Sequence, residues 1–426
     1  MIFLPKILAP KTVTFLTQSG GAAYRDQKYS DEKLKYSNMR NSTLFFLFLS
    51  SLFISCNNCN SNFIYHQPEN INDGLHVGTL ESVNMNTEII ATAVNKLHCG
   101  NFGEVHSMLI YKDNLVVLEE YFQGHRYKWD EPAYHGELVN WDRSMAHEMM
   151  SVTKSFTSAC IGIAIDKGFI KSVHQSIFDY LPNHQHLKTN NREYITIEHL
   201  ITMTSGLAWD EWSVAHGSSD NDIDALWFDC KETISCVLEK PWWQEPGQLF
   251  TYNGGGMAIL GEIIKNATNM NIDEFSKMYL LDPLGIENAT WTQFPGGVWD
   301  GSGAFYITPR DMMKFGVTYL NKGVWNDQII LPSAWVENSS KPYNNNININ
   351  IPGEDSGKNG YGYTWWTSDL FHNGNEIKMF RAGGWGGQEI MVFPELDMVI
   401  VFTGGNYDKK TSLYKLLEKY ILPAIK

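Results

Sequence analysis

The chain has 426 residues, 43% of them hydrophobic and 19% charged, with a formal net charge of −14. That is a globular composition, with room for one large domain or two smaller ones. An acidic balance without a cluster of lysine and arginine argues against a nucleic-acid partner, because backbone binding needs clustered cations. The 14 tryptophans are read as core and interface packing rather than as a sugar platform.

In chain order, the first informative segment starts at Met39. It has Arg40, an apolar run over 44–54, and the ending LFISC at Cys56. The run is too short to cross a bilayer, which takes about 20 residues. A charged start, a short apolar run and a small residue before the cut predict a secretory signal. LFISC is similar to the lipobox of bacterial lipoproteins, in which the cysteine is lipidated. Residues 39–56 are therefore expected to be a lipoprotein signal. The membrane is then a partner through an anchor at Cys56 that holds the chain in the cell envelope without spanning the bilayer. On this reading 1–38 is an upstream extension, 57–88 a tether and 89–426 the folded domain.

The cysteines are Cys56, Cys59, Cys99, Cys160, Cys230 and Cys236. With Cys56 lipidated, five remain, too few for a disulfide scaffold in a chain this size. Cys230 and Cys236 could pair in an oxidising compartment. No paired-cysteine metal pattern occurs, and His184 and His186 read as solvated loop residues. No glycine-rich phosphate loop lies between a strand and a helix. No metal and no cofactor is expected.

Two strand-like runs, VHSMLIYKD and LVVLEEYF, flank Asp113-Asn114, a hairpin turn. A loop rich in tryptophan and charge follows over 124–143. From about 150 to 340 the pattern is mostly helical, and NNNININ over 344–350 reads as a loose surface loop. Strands return in EIKMFRA, QEIMVFP and DMVIVFT, the last two joined by PELD. An amphipathic helix, KKTSLYKLLEKYILPAIK, closes the chain. Strands at both ends around a helical block predict an α+β fold. One antiparallel sheet is built from the two termini, flanked by helices, with a mostly helical inserted subdomain.

Ser-x-x-Lys occurs three times, at Ser30/Lys33, Ser151/Lys154 and Ser412/Lys415. The first lies upstream of the signal. The last lies on the solvated side of the closing helix, opposite Leu413, Leu416, Leu417, Tyr420 and Ile421. Ser151/Lys154 opens FTSACIGIAI, a helix apolar or small nearly all round and hence buried. A serine and a lysine three apart share one helix face. Partial desolvation favours the neutral amine, which could take a hydroxyl proton. A capping serine with a snorkelling lysine is the competing reading of this segment alone.

The remaining motifs decide between them. PGQLFTYNGGGMAILGEII, RAGGWGGQEIMVFPELDMVIVFT, ITIEHLITMTSGLAWDEW and GSGAFYITPRDMMKFGVTYL make the chain resemble the serine β-lactamase and penicillin-recognising family over roughly 90–425. It is most similar to the class C-like branch, which includes esterases, D-aminopeptidases and 6-aminohexanoate-dimer hydrolases. The resemblance implies an acyl-enzyme on Ser151, activation by Lys154 and proton transfer to the leaving group by Tyr252. It implies an oxyanion hole from the backbone N–H groups of Ser151 and Trp385, with Ala382-Gly383-Gly384 as the sheet-edge element. Asn253, Gly384 and Trp385 are candidates for substrate binding.

Two departures matter. Gly254 stands where the family carries an asparagine, and Ala382 where β-lactamases carry lysine or histidine. Strand alternation aims Arg381 at the other face. A neutral Tyr252 relaying a proton, with Lys154 as the main base, is therefore expected. Hydrolysis of an ester or amide of a small acyl compound fits better than β-lactam hydrolysis. The rivals are a β-lactamase or D-alanyl-D-alanine peptidase, and a catalytically silent envelope binding protein. MTSGL and TPRDM are read as structural. His147, four residues before Ser151, either packs or lines the site.

Overall fold

Asp113 and Asn114 both take positive φ, 49° and 66°, the pair of left-handed residues that a two-residue hairpin turn requires. They join β1 (Val105–Lys112) to β2 (Leu115–Tyr121) in the computed structural model, which describes Cys59 and residues 62–426. The signal over 39–56, Cys56 and the 1–38 extension lie outside the described residues.

The expected loop over 124–143 is instead mostly a second hairpin, β3 (Gln123–Tyr127) with β4 (His135–Asn140). At the other end of the chain come β5 (Ile349–Asn350), β6 (Lys358–Tyr361), β7 (Trp366–His372), β8 (Asn375–Gly384), β9 (Gln388–Phe393) and β10 (Met398–Gly404). Pro394–Leu396 and Asp397, the latter at φ 46°, make the turn from β9 to β10. All pair antiparallel with β1 and β2 into one sheet of eight strands, in the order β5-β6-β7-β8-β9-β10-β1-β2. The predicted union of the termini is therefore present, closed where β1 lies against β10 with Met108 opposite Phe402.

Every residue of β1, β9 and β10 is buried, because both faces of the sheet are covered. Leu109, Ala382, Ile390 and Val401 face the helical block. Met108, Met391, Ile400 and Phe402 face α1 (Thr87–His98) and the closing helix. That helix begins at Leu413 and runs through a π turn to Ala424, burying Leu413, Leu416, Leu417 and Ile421 as its pattern predicts. Lys415 and Lys419 stay exposed.

Two stretches are more ordered than their composition suggests. Within the expected tether, Leu75, Leu80, Val83 and Met85 are buried in the core. Cys59 is disulfide-bonded to Cys99, beside the end of α1. Apolar side chains with somewhere to go outweigh the polar residues between them. In NNNININ, Asn346 is buried and donates to the Thr202 carbonyl at 2.8 Å, while Ile349–Asn350 forms the sheet edge.

The helical block holds α2 (Thr153–Asp166), α3 (Gly255–Thr268) and α4 (Pro309–Leu320). Residues 153–164 of α2 are all buried. Ser155 and Thr157 on it bond to loop carbonyls, Ser155 donating to Thr364 O at 3.0 Å and Thr157 to Gly301 O at 2.8 Å. A helix buried on every side must find such acceptors, and here they fix two loops around the helix start. In TPRDM, Thr308 caps α4 and Arg310 pairs with Asp73 and Glu119, a structural use of that motif. Cys230 and Cys236 form a second disulfide, and Cys160 is free and buried.

Candidate active site

Met150 has φ 46°, a left-handed backbone that a branched or long side chain rarely adopts and that marks stored strain. The bend sits between the two-residue strand His147–Glu148 and the 3-10 turn Met150–Val152 that leads into α2. Its effect is to deliver Ser151 to a cleft of about 900 Å³. Gly384, at the end of β8, is pressed against the same bend. A Cβ there would lie 2.7 Å from Met149 O and 3.1 Å from Ser151 N, so glycine is what lets the strand approach the serine.

Lys154 is the second residue of α2, three positions after Ser151. Its Nζ donates to Ser151 Oγ at 3.0 Å and to the Ser302 carbonyl at 2.9 Å. The same Nζ sits 4.9 Å from the centre of the Tyr252 ring. Tyr252 is stacked on Trp212 and flanked by Trp366. Ser151, Lys154, Tyr252, Gly384 and Trp385 all line the cleft.

Asn253 does not line it. Its side chain turns back to accept the Gly256 N–H at 3.0 Å at the start of α3, which removes it as a contact for substrate. His147 is buried too, tilted against Trp141 and 2.8 Å from His106, so it packs. Arg381 lies on the opposite face as alternation requires, over the ring of Tyr414 and paired with Glu389 and Glu354.

Three carboxylates of the site escaped sequence reasoning, two of them acting on the lysine. Glu211 is buried and accepts from Trp209 Nε1 at 2.6 Å and from the Gly254 N–H at 2.7 Å. A Cβ on Gly254 would meet its Oε2 at 2.9 Å. The space beside the residue that replaces the family's asparagine is thus filled by a carboxylate from another loop. Asp300 is buried and accepts from Ser302, whose carbonyl holds Lys154. Glu148 lines the cleft, and burial pushes its carboxyl up to about 7. The only advance signals were the cluster Trp209-Asp210-Glu211-Trp212 and the placement of Glu148 near the serine.

These groups bear on the charge state of the lysine. Burial opposes its ammonium, but Tyr252, Glu211 and Asp300 outweigh burial and hold Lys154 above the ordinary lysine value. Burial pushes Tyr252 up despite the neighbouring cation. These shifts favour the ammonium form of Lys154 and the neutral form of Tyr252. A desolvation argument from the helix alone omits the two buried carboxylates that oppose a neutral amine.

A profile for beta-lactamases matches residues 106–410. The chain belongs to the beta-lactamase family. This family comprises serine hydrolases built on the fold described above. Beta-lactamase-like protein 2 of Dictyostelium discoideum is 25% identical over 319 residues, 68% of this chain and 54% of that protein; the chain thus spans about half the length of that relative. A Bacillus anthracis protein assigned as a 6-aminohexanoate-dimer hydrolase superposes with a TM-score of 0.58 at 22% identity, covering 76% of this chain and 80% of that one. A family VIII carboxylesterase gives 0.58 at 13% identity, over 79% and 96%. At these identities the superpositions speak for the fold of this family member.

Proposed function

We propose that this beta-lactamase family member is a serine hydrolase that cleaves an ester or amide of a small acyl compound through an acyl-enzyme on Ser151. The observation that carries the reading is the contact of Lys154 Nζ with Ser151 Oγ inside a cleft. Acyl transfer needs a nucleophile, a proton acceptor, a donor to the leaving group and donors for the oxyanion. Ser151 attacks the carbonyl carbon, and its proton passes into the Lys154–Tyr252 pair once that pair has lost a proton to solvent. The backbone N–H groups of Ser151 and Trp385 receive the oxyanion. Tyr252 returns a proton to the leaving alcohol or amine, and water then releases the acid from Ser151.

The cleft wall supports a neutral, partly apolar substrate. Trp129, Trp212, Trp227, Phe228 and Trp385 line it, and Glu148, Glu211 and Asp300 make its floor acidic. Ala382 contributes no cation, and Arg381 is committed to Glu389 and Glu354 on the far face. The sheet edge at Ala382 therefore offers an anionic β-lactam no cation, and the lysines that line the cleft, Lys154, Lys409 and Lys410, come from other segments. The test is labelling of the purified protein with a fluorophosphonate and, separately, a fluorescent penicillin, followed by mass spectrometry. A fluorophosphonate adduct on Ser151 is expected, with weak or no penicillin adduct. Absence of both adducts would leave the silent binder as the better account, and fast penicillin turnover would favour a β-lactamase.

The carboxylates also set a pH dependence. The rising limb of kcat/KM against pH should report proton loss from the Lys154–Tyr252 pair in the free enzyme. Glu211 favours the ammonium, so Glu211→Gln should lower that pKa and move the limb to lower pH by about one unit. A limb that stays in place in the variant removes Glu211 from this role.

We further propose that the protein is exported and anchored in the cell envelope through Cys56. The disulfides Cys59–Cys99 and Cys230–Cys236 support an oxidising compartment. Cys56→Ala should move the protein from the membrane fraction to the soluble one. Retention on membranes would refute the anchor.

A further inference from the structure

Away from Ser151, four histidines and a glutamate gather where the β3–β4 hairpin meets the ends of β1 and β10. Glu104 precedes β1, His125 lies on β3, and His135 opens β4. We propose that Glu104, His125 and His135 form a binding site for a divalent transition-metal ion of the zinc class, which fastens the hairpin to the sheet.

One potential ligand atom from each of the three residues lies within 4.8 Å of the others. Glu104 Oε2 is 3.0 Å from His125 Nδ1 and 3.9 Å from His135 Nε2. The two imidazoles stack with their planes 3° apart and centres 4.4 Å apart, so both present edges to one carboxylate. Two imidazoles with one carboxylate is a donor set that suits zinc and its neighbours, whereas calcium and magnesium take oxygen-rich sets.

The carboxylate is held from behind as metal-bound carboxylates are. Its other oxygen, Oε1, takes the His125 backbone N–H at 2.5 Å and approaches His106 Nε2 at 3.0 Å. His106 is fully buried, stacked on Trp141, and meets His147 Nε2 at 2.8 Å through its Nδ1. Oε1 is thus occupied by the supporting layer, and Oε2 is turned to the two partly exposed histidines. The packing around this layer admits no side chain. A Cβ on Gly405 would lie 2.8 Å from Glu104 Oε1, and one on Gly124 would lie 2.3 Å from the His106 ring. His125, Glu104 and His135 keep 32%, 22% and 17% of their side-chain surface exposed, which gives an ion a way in. His135 Nε2 lies 2.8 Å from the Gly405 carbonyl, and a proton donated there must leave when metal binds.

The placement gives the site a purpose. Tyr127 and Tyr134, at the two sides of the hairpin turn, line the cleft beside Trp385, and Tyr407 follows Gly405 closely. An ion on Glu104, His125 and His135 would pin that aromatic wall to the end of β10.

The test uses the protein without an added histidine tag, stripped with EDTA and titrated with Zn2+ or Co2+ alone. The expected result is one equivalent by elemental analysis and calorimetry, with visible Co2+ bands of a low-coordinate nitrogen and oxygen site and a higher Tm with Zn2+ than with EDTA. His125→Asn and His135→Asn should each weaken binding at least about tenfold, while the control His184→Asn/His186→Asn binds as the parent does. No stoichiometric uptake by the parent, or undiminished uptake by the His125/His135 double variant, overturns the proposal. If the variants fail to fold, X-ray absorption of the zinc-loaded parent decides: a shell with two imidazoles sustains the site, and its absence overturns it.

Discussion

Ser151→Ala is expected to lower kcat/KM by about 10⁴-fold or more and to abolish covalent labelling while leaving the melting temperature nearly unchanged. The size follows from losing the nucleophile of an acyl-transfer site, in which the oxyanion donors and substrate binding alone retain only residual catalysis. That loss is about 5.5 kcal/mol of transition-state stabilisation. Lys154→Ala should cost nearly as much, because its Nζ meets both Ser151 Oγ and the Ser302 carbonyl. The double variant should be no worse than Ser151→Ala, since residues acting as one unit do not add. Steady-state kinetics on a panel of small esters and amides checks all three. A Ser151→Ala enzyme that keeps a tenth of the parent activity would place the chemistry elsewhere.

Arg381→Ala should cost stability rather than chemistry, by about 3–5 kcal/mol, the range for breaking a buried ion pair from one side. The Arg381 side chain is wholly buried, and its Nη1 donates to both Glu389 oxygens at 2.6 and 2.8 Å. Burial already pushes Glu389 up to about 8, with Arg381 pulling against it. Without the arginine its folded-state pKa rises further. A carboxyl with a raised folded pKa costs nothing while protonated in both states. It then costs increasingly as pH climbs above its unfolded value, near 4. Below about pH 8 the carboxyl is protonated in folded parent and folded variant alike, so the deficit of Arg381→Ala should stay level from mild acid to neutral pH and widen only above about 8, where the parent's Glu389 ionises and the variant's does not. Urea titrations at pH values below and above that point, with an unchanged m-value, would show this. A deficit that shrinks as pH rises would contradict it.

Much of this was legible in the sequence where the signal was local. The apolar circumference of 156–165 announced a buried helix, and burial made Ser151/Lys154 different from its two copies. Asp113-Asn114 announced its turn, and three apolar runs near the end announced the core of the sheet. What escaped depends on approach in space. Glu211 reads as one more acid in a tryptophan-rich turn, and only folding brings it beside Gly254 and toward Lys154. Asp300 acts through Ser302, and Ser302 through its carbonyl, which no side-chain pattern encodes. Asn253 was judged by its neighbour Tyr252, but the start of α3 needs a cap and takes its side chain. His125 and His135 sit ten positions apart in what reads as a charged loop, and Glu104 and His106 come from another strand. The carboxylates acting on the lysine escaped for the same reason, since a helix considered alone contains no Glu211.

The seam between β1 and β10 pairs Val105 with Gly404, near opposite ends of the domain. Ser151 belongs to the early part of the chain, whereas Gly384, which closes on it, belongs to the late part. A chain emerging from a ribosome end-first therefore carries the proposed nucleophile in an unfinished site until β8, β9 and β10 arrive. Closing so large a loop costs entropy before its contacts repay it. Until then β1 offers bare apolar edges to any passing strand. On the proposed chemistry the fold thus delays reactivity until synthesis is nearly complete, and it makes the late-arriving strands the step at which folding and aggregation compete.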